Sequence, residues 1–280
     1  MMDVAILGAG ELGGSIATVL AHRDLVRGII LIDARGQVAA GKALDIMQVA
    51  PITRFATRLS GATDISAAAG AGIVVIADQA NNEEWQGEAG RLLLTQLSQL
   101  AAGALVVCAG AAQAALVEHA AGALRFPPAR VFGTAPEALA SAVRALLALE
   151  VNGSPRDVAL ALLGRPPGNT VIPWEDVTIG GIAATRMLDE PARRRLASRV
   201  APLWPPGPYA LATASVEAIS AVVGRSRRTL TAFVAPGAAA AARTRTAALP
   251  VRLSMSGVVS VEMPALSTSA QVALETAMQR

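Results

Sequence analysis

The sequence is poor in the side chains that carry most enzyme chemistry near neutral pH. Its 280 residues include one cysteine, two histidines and one tyrosine, and aromatic residues make up only 3%. Because Cys108 is the only cysteine, a disulfide within the chain is excluded, and its apolar neighbours predict a buried, inert thiol. Apolar residues make up 53%, so the core must be built from Ala, Val, Leu and Ile. This composition suits helices packed closely on a parallel sheet.

Positive charge is present, but it is not organised for nucleic acid. The formal net charge is +3, yet Lys42 is the only lysine and the arginines are scattered or clustered at helical spacing. Aromatic stacking platforms and a recognition module are absent from the sequence. We therefore expect no nucleic-acid partner.

One segment, residues 100–117, is long and nearly uncharged, as a membrane span would be. It consists mostly of small residues with Gln113 inside, and we interpret it as a buried strand, a loop and the start of a helix. The first residues include Asp3 and no basic segment, which does not match a secretory signal. We expect a cytoplasmic protein without a membrane partner.

Short apolar runs alternate with helical patterns over the first 150 residues. A short apolar run followed by a helix is typical of a buried parallel strand. The alternation predicts an α/β fold in which a doubly wound parallel sheet of the Rossmann type has right-handed crossovers. The expected strands are 3–7, 28–33, 73–77, 104–108 and 130–132, and the expected helices are 11–22, 42–49 (ending before Pro51), 91–100, 112–121 and 137–149.

The character of the sequence changes after about residue 150. Pro and Gly cluster at 165–168 and 204–208, among shorter expected strands. We therefore divide the chain into a dinucleotide-binding Rossmann domain at 1–150 and a mixed α+β, substrate-domain-like half at 151–280. Helices are expected at 190–200 and 212–223, and the low-complexity run 235–242 is expected to form a turn before a strand.

The segment from Gly8 to Gly13 reads G-x-G-x-x-G between an apolar strand and a helix. The first glycine permits a tight turn, the second lets backbone approach a pyrophosphate, and the third lets helix and strand pack closely. The helix N-terminus adds free N–H groups and a positive dipole end. The alternative is a Rossmann half without nucleotide, in which these glycines serve packing only.

Asp33 ends the second strand, about 20 residues beyond the last glycine of the loop. A carboxylate there accepts hydrogen bonds from ribose hydroxyls and repels a 2′-phosphate, which favours NAD over NADP. Arg35 lies two residues on and partly offsets that charge. The expected NAD-binding residues are Gly8, Gly10, Glu11, Leu12, Gly13, Asp33, Ala34 and Ala77.

Further segments match one family. They are 41–45 followed by Pro51, 130–133, 150–152, 162–164, 172–174, 249–251 and 258–264. Together with the glycine loop and Asp33, they resemble the lactate/malate dehydrogenase family over nearly the whole chain, most specifically in the first 50 residues. The resemblance implies NAD-dependent hydride transfer on a 2-hydroxy acid, a small carboxylic-acid ligand, and assembly as a homodimer or homotetramer.

Most residues that this family uses for catalysis are missing. The family needs a histidine for proton transfer, an aspartate that orients it, an arginine that binds the substrate carboxylate, and an asparagine. By resemblance, the aspartate position is Leu139, the arginine position is Ala142 and the asparagine position is near Ala111. The histidine is expected within 164–169, where prolines stand. Arg144, about 200° further round a helix than Ala142, is expected to point elsewhere.

The family's mobile loop, which ends in a catalytic arginine, has a partial counterpart. Residues 86–92 resemble that loop with a one-residue insertion, which makes Arg91 the one candidate catalytic residue carried over from the family. The alternative is an arginine at a helix start that faces solvent. Asn81, Asn82 and Trp85 occupy the region where the family selects its substrate, and none is the arginine that a dicarboxylate requires.

Three functions are compatible with this sequence. The first is a degenerate homologue, a pseudoenzyme that keeps the fold and NAD and acts as a sensor, partner or oligomer subunit. The second is an NAD-dependent oxidoreductase with another substrate and a rebuilt site, for which Arg91, Glu137, Asn169 and Tyr209 are candidates. The third is a structural protein with an empty cleft. Because losing a general acid/base costs roughly 10²–10⁴ in rate, we favour the first.

Overall fold

The computed structural model describes residues 2–124, 126–235 and 245–279. The low-complexity run 235–242 lies outside these residues except for Ala235. The strands are β1 (Asp3–Leu7), β2 (Gly28–Ile32), β3 (Arg58–Ala62), β4 (Ile73–Ile76), β5 (Leu105–Cys108), β6 (Val131–Gly133), β7 (Val158–Ala159), β8 (Leu163–Arg165), β9 (Asn169–Val171), β10 (Thr178–Ile179), β11 (Ile182–Ala183), β12 (Leu230–Val234), β13 (Ala247–Ser254) and β14 (Gly257–Val261). The helices are α1 (Glu11–His22), α2 (Gly36–Thr53), α3 (Gly87–Leu100), α4 (Ala114–Gly122), α5 (Ala135–Glu150), α6 (Ala184–Met187), α7 (Glu190–Ser198), α8 (Pro208–Val222) and α9 (Thr268–Gln279).

The expected parallel sheet is present and continues into an antiparallel part. The strand order β3-β2-β1-β4-β5-β6 is parallel throughout, and the order then runs on through β12, β13, β8 and β9, with β14 beside β13. Strand β12 is antiparallel to β6, so strands from both halves of the chain share one sheet. The strand order reverses between β1 and β4, which makes the carboxyl ends of these two strands the topological switch point.

Two apolar clusters fill the interior of the described residues. The larger one surrounds the parallel sheet and includes α1, α8, β12 and β13. The smaller one lies between α5, α7 and the three-stranded sheet β11-β10-β7. Helix α8 packs against both α1 and α5, so the C-terminal half also covers the Rossmann sheet. The division of the chain at residue 150 stays a prediction.

Many expected elements are confirmed, and several differ from the expectation. Strand β1 and helix α1 have the expected bounds, and Cys108 is fully buried, which raises the pKa of its thiol to about 12. Helix α2 runs through Pro51 to Thr53 instead of ending before the proline. Only two residues follow Pro51 within the helix, so its missing N–H removes a hydrogen bond at the end of the helix rather than in its middle. Strand β3 and helix α9 were not expected from the sequence. Strand β3 is half exposed and α9 buries only Leu274 and Ala277, so neither element has the strong apolar pattern on which the prediction depends.

Candidate functional site

The glycine loop occupies the switch point, between the end of β1 and the start of α1. Gly8 has φ +114°, and a Cβ there would overlap the backbone carbonyl of Asp78. A Cβ on Gly13 would overlap the carbonyl oxygen of Gly8. The first glycine therefore makes the tight turn and the third allows close packing of the helix on the strand, as the pattern predicts.

Asp33 lies at the end of β2, next to this loop. Its Oδ2 accepts hydrogen bonds from the N–H groups of Ala9 (3.0 Å) and Ala80 (2.8 Å), and its Oδ1 accepts one from the N–H of Arg35 (2.8 Å). The side chain is only 5% exposed. Ala34 beside it is exposed, and Ala77 is buried under the loop. Asp33 thus connects the glycine loop to the segment that follows β4.

A second buried carboxylate, Asp78, lies at the N-terminus of α1. Its Oδ2 accepts the N–H of Leu12 (3.0 Å) and its Oδ1 accepts the N–H of Gly13 (2.8 Å). Its backbone carbonyl accepts the N–H of Gly10 (3.0 Å). Asp78 is 5% exposed, and among the described residues it has no cationic partner. The carboxylate is therefore stabilised by backbone N–H groups and the positive end of the helix dipole.

Asn82 completes the capping of α1. Its Oδ1 accepts the N–H of Glu11 (2.9 Å). An α-helix leaves four N–H groups without intrahelical partners at its N-terminus. In α1 all four of them, from Gly10 to Gly13, are bonded to oxygens of residues 78–82. A Cβ on Gly10 would overlap the carboxyl group of Asp78, so this side chain fills the space that the second glycine opens.

The carboxylate of Glu84 makes the same kind of contact one strand further along the sheet. Its two oxygens accept the N–H groups of Ala111 (2.9 Å) and Ala112 (2.8 Å), in the turn between β5 and α4. The N–H of the neighbouring Gly110 donates a hydrogen bond to Gln113 Oε1 (3.0 Å). Residues 78–84, which we call the 78–84 segment, thus cap two clusters of N–H groups at the carboxyl edge of the parallel sheet.

Sequence reasoning missed Asp78 and Glu84. It considered Asn81 and Asn82 only as substrate-selecting positions, and it expected the N–H groups of α1 to be free. The available signal was the run of acids and amides directly after the buried strand β4. Because side chains at the carboxyl ends of neighbouring parallel strands meet at one edge, such a run could have predicted contacts with the loops after β1 and β5.

Lys42 is the described cation that touches the glycine loop. It reaches over from α2, and its Nζ donates to the carbonyl oxygen of Gly10 (2.5 Å). The same side chain packs against Gly14, where an added Cβ would lie 3.3 Å from its Cδ and Nζ. The loop therefore combines a positive helix end and a lysine with two buried carboxylates, Asp33 and Asp78.

Helix α5 holds the positions at which the resemblance expects the substrate-binding and histidine-orienting residues. Leu139 is fully buried in the smaller apolar cluster, and Ala142 is half-buried. Arg144 points away from both, as expected, because its guanidinium donates to Glu137 Oε1 (2.7 Å) and to the carbonyl oxygen of Leu160 (2.7 Å). The other oxygen of Glu137 accepts the N–H of Thr231 (2.8 Å). Both partners of this ion pair are therefore committed to the packing of α5.

The remaining candidates are dispersed. Arg91 is exposed on the first turns of α3, and its side chain has no hydrogen bond to another described residue. Asn169 pairs with Arg165 across the β8–β9 hairpin, and Tyr209 is 73% exposed at the start of α8. His22 lies exposed at the end of α1, and His119 is half-buried on α4. The described geometry does not gather these groups around one reacting atom.

Two further structural findings bear on the site. Within residues 2–124, 126–235 and 245–279, three or more His, Cys, Asp or Glu side chains do not come together in a way that could hold a metal ion. Among the helices described here, none combines the length and the apolar character needed to cross a membrane.

Comparison with known proteins places this site in context. Residues 2–115 match the family model described as lactate/malate dehydrogenase, NAD binding domain. The malate dehydrogenase of Thioalkalivibrio sulfidiphilus is 32% identical over 209 residues, which are 71% of this chain and 68% of that protein. The malate dehydrogenase of Cytophaga hutchinsonii is 32% identical over 199 residues, and the match spans 67% of this chain but only 64% of that protein.

The fold also matches solved structures over nearly the whole chain. Malate dehydrogenase from Salinibacter ruber superposes with a TM-score of 0.85 at 23% identity, covering 99% of this chain and 94% of that one. An identity this low establishes a common fold alone. The match of the two folds confirms the expected combination of a Rossmann sheet with a C-terminal mixed α+β part.

Proposed function

The chain belongs to the lactate/malate dehydrogenase family, and from this premise we propose that it is an NAD-binding member that does not perform hydride transfer on 2-hydroxy acids. One observation carries the proposal. Arg144, the arginine nearest in sequence to the expected carboxylate-binding position, is held by Glu137 and by the carbonyl oxygen of Leu160. Both terminal nitrogens of its guanidinium thus bind groups of the protein itself, instead of forming the bidentate contact that a substrate carboxylate needs.

The cofactor follows from the N-terminal part of the chain. Residues 2–115 are the NAD-binding domain of the family, so NAD is the cofactor. The strand–glycine loop–helix geometry and the carboxylate at the end of β2 fit an adenine dinucleotide, whereas the N–H groups of α1 are occupied by the 78–84 segment in this conformation. The residues that we propose to line its site are Gly8, Gly10, Glu11, Leu12, Gly13, Asp33, Ala34 and Ala77.

The expected cost in rate of the missing groups supports the loss of 2-hydroxy-acid turnover. When bound, NAD supplies the hydride acceptor, but a group that titrates near neutral pH must accept the hydroxyl proton. The chain's histidines, His22 and His119, lie on α1 and α4 rather than on the β8–β9 hairpin. Loss of the general base costs roughly 10²–10⁴ in rate, and loss of the charged partner of a substrate carboxylate costs about 2–5 kcal/mol more.

The test is a pair of measurements on the purified wild-type chain. NADH binding is followed by nicotinamide fluorescence, and oxidation of malate and of lactate is followed by NADH absorbance with saturating NAD. We expect saturable binding together with turnover at least about 10⁴-fold below ordinary enzyme rates. Malate or lactate oxidation at about 1 s⁻¹ or faster would contradict the proposal.

An active oxidoreductase with a rebuilt site is the competing function. Among its candidates, Glu137 is committed to Arg144 and Thr231, and Tyr209 is largely exposed. Arg91 is exposed on α3 and stays a candidate catalytic residue. Transfer of deuterium from stereospecifically labelled NADH to a small carbonyl compound would favour this competing function.

We also propose that the chain assembles with copies of itself as a dimer or tetramer. Support comes from apolar side chains on α2 that face solvent, since Leu44 is 61% and Ile52 is 80% exposed. Light scattering on a size-exclusion column measures the mass directly, and a mass of one 28.4 kDa chain would contradict the assembly. The small carboxylic-acid ligand and the cytoplasmic location stay predictions.

A further inference from the structure

We propose that the 78–84 segment is a built-in competitor of the NAD pyrophosphate, so that nucleotide binds only to molecules in which this segment has left the N-terminus of α1. The inference rests on the proposed binding of NAD by this chain. It concerns a different property, namely what limits the affinity, and it is tested by binding rather than by turnover.

The Asp78 carboxylate binds the same helix terminus that a pyrophosphate would bind. The N–H groups at the start of a Rossmann helix bind pyrophosphate oxygens, and they can serve one anion at a time. Here the Asp78 carboxylate accepts the N–H groups of Leu12 and Gly13, and the Asn82 amide oxygen accepts that of Glu11. An anionic group from the chain itself thus uses the donors that the dinucleotide would use.

The space beside Gly10 is also occupied by the 78–84 segment. The second glycine of the pattern lets a pyrophosphate approach the backbone closely. At Gly10 that space holds the Asp78 carboxyl group and the carbonyl of Gln79, both of which a Cβ would overlap. A pyrophosphate with two negative charges cannot enter beside this buried carboxylate without strong repulsion. Binding therefore requires displacement of the segment rather than simple addition of the ligand.

The 78–84 segment has features that allow it to move as a unit. It is folded on itself: the N–H of Gln79 donates to the carbonyl of Glu83 (2.9 Å), and Asp78 and Glu84 form an antiparallel bridge. Its tip, residues 81–83, is exposed. At its base the indole Nε1 of Trp85 is buried without a partner among the described residues. An orphaned buried donor is a source of strain that a second position of the segment can relieve.

The competition has a measurable consequence. When only a fraction of molecules is competent to bind, the apparent dissociation constant rises by the inverse of that fraction. Replacing Asp78 by alanine removes the carboxylate and frees two N–H groups, so the competent fraction should rise. Ligands that carry the pyrophosphate should gain affinity, and a ligand without phosphate should not.

The experiment compares Asp78→Ala with wild type and with Asp189→Ala. Asp189 caps α7 by accepting the N–H of Ala192 (2.8 Å), so its replacement also removes a helix-capping carboxylate, but in the C-terminal half. NADH and ADP-ribose are titrated by fluorescence and calorimetry, and adenosine is titrated by NMR. We expect Asp78→Ala to bind NADH and ADP-ribose about tenfold more tightly or better, with adenosine unchanged and Asp189→Ala like wild type.

Several outcomes would overturn the inference. One is unchanged or weaker NADH binding in Asp78→Ala, and another is an equal gain for adenosine, which indicates general loosening. Absence of NADH binding in both wild type and variant contradicts the proposed NAD binding, and the inference that rests on it. If Asp78→Ala does not fold, Asp78→Asn, which keeps one acceptor but loses the charge, must show a gain in NADH affinity. Malate turnover by wild type contradicts the proposed function instead, so the two failures are distinguishable.

Discussion

The glycine loop and helix α5 lie in the same fold but differ in where their functional groups come from. At the loop the donors are backbone N–H groups, which no substitution except proline removes, and they are bonded to Asp78 and Asn82. On α5 the functional groups were expected to be side chains, and Leu139 and Ala142 stand at those positions. A site built from backbone persists when side chains change, whereas a site built from side chains does not.

The two regions also satisfy their buried charges differently. Asp78 relies on N–H groups and a helix dipole, without a cation among the described residues. Glu137 is paired with Arg144 and with the N–H of Thr231. Both solutions follow from the high cost of leaving a buried charge unpaired. Only the first leaves donors that an outside anion could take over.

The largest effect is expected from Glu137→Ala, which tests whether the charges of α5 serve the fold. The variant leaves Arg144, whose side chain is 13% exposed, without its partner, and leaves the N–H of Thr231 without an acceptor. The free energy of unfolding in urea should fall by about 3–5 kcal/mol. The control is Glu190→Ala, which removes an exposed partner of Arg194 and should cost less than about 1 kcal/mol. Equal losses in the two variants would mean that the α5 pair is not buried in solution.

A smaller effect is expected from Gly10→Ala, which tests the packing of Asp78 against the loop. The added Cβ overlaps the Asp78 carboxyl group, so the free energy of unfolding should fall by about 1–3 kcal/mol. Gly41→Ala is the control, because Gly41 lies inside α2 with nothing within 4 Å of the new Cβ. That variant should be more stable by about 0.5–1 kcal/mol. If the free energy of unfolding of Gly10→Ala equals that of wild type, the 78–84 segment is already displaced in solution.

The smallest effect is expected at Cys108. The reactivity of its thiol tests whether water reaches the part of the sheet between the glycine loop and helix α5. Its carbonyl accepts the N–H of Thr134, just before α5, and burial raises the pKa of its thiol to about 12. Since the folded-state pKa lies above the unfolded value near 9.0, stability is unaffected below pH 9 and decreases as the pH rises towards 12. At pH 8 the native thiol should not react with Ellman's reagent, and it should react at once in guanidinium. Rapid reaction of the native protein would indicate that water reaches the end of strand β5.

The two regions differ in how much of the site could be predicted from the sequence. The loop from Gly8 to Gly13 and Asp33 were predicted because local spacing and a flanking apolar strand define them. Arg144 was expected to point away from Ala142 because helical geometry fixes the angle between them. Its partner Glu137 was instead considered a catalytic candidate. The contacts of Glu137 could not be predicted, because they join it to a residue seven positions away and to Thr231 on β12, which is not a local sequence pattern.

The amino-acid sequence was enough to predict the alternation of strands and helices, the glycine turn with the acidic residue that follows β2, and the absence of a histidine from the β8–β9 hairpin. These features depend on local spacing and composition, which tertiary contacts do not change. The folded structure was needed to show that Asp78, 66 residues from Leu12 along the chain, caps α1 and that strands of both halves share one sheet. Such contacts arise because the switch point brings the ends of β1 and β4 together, and no local pattern encodes which side chain then fills the space between them.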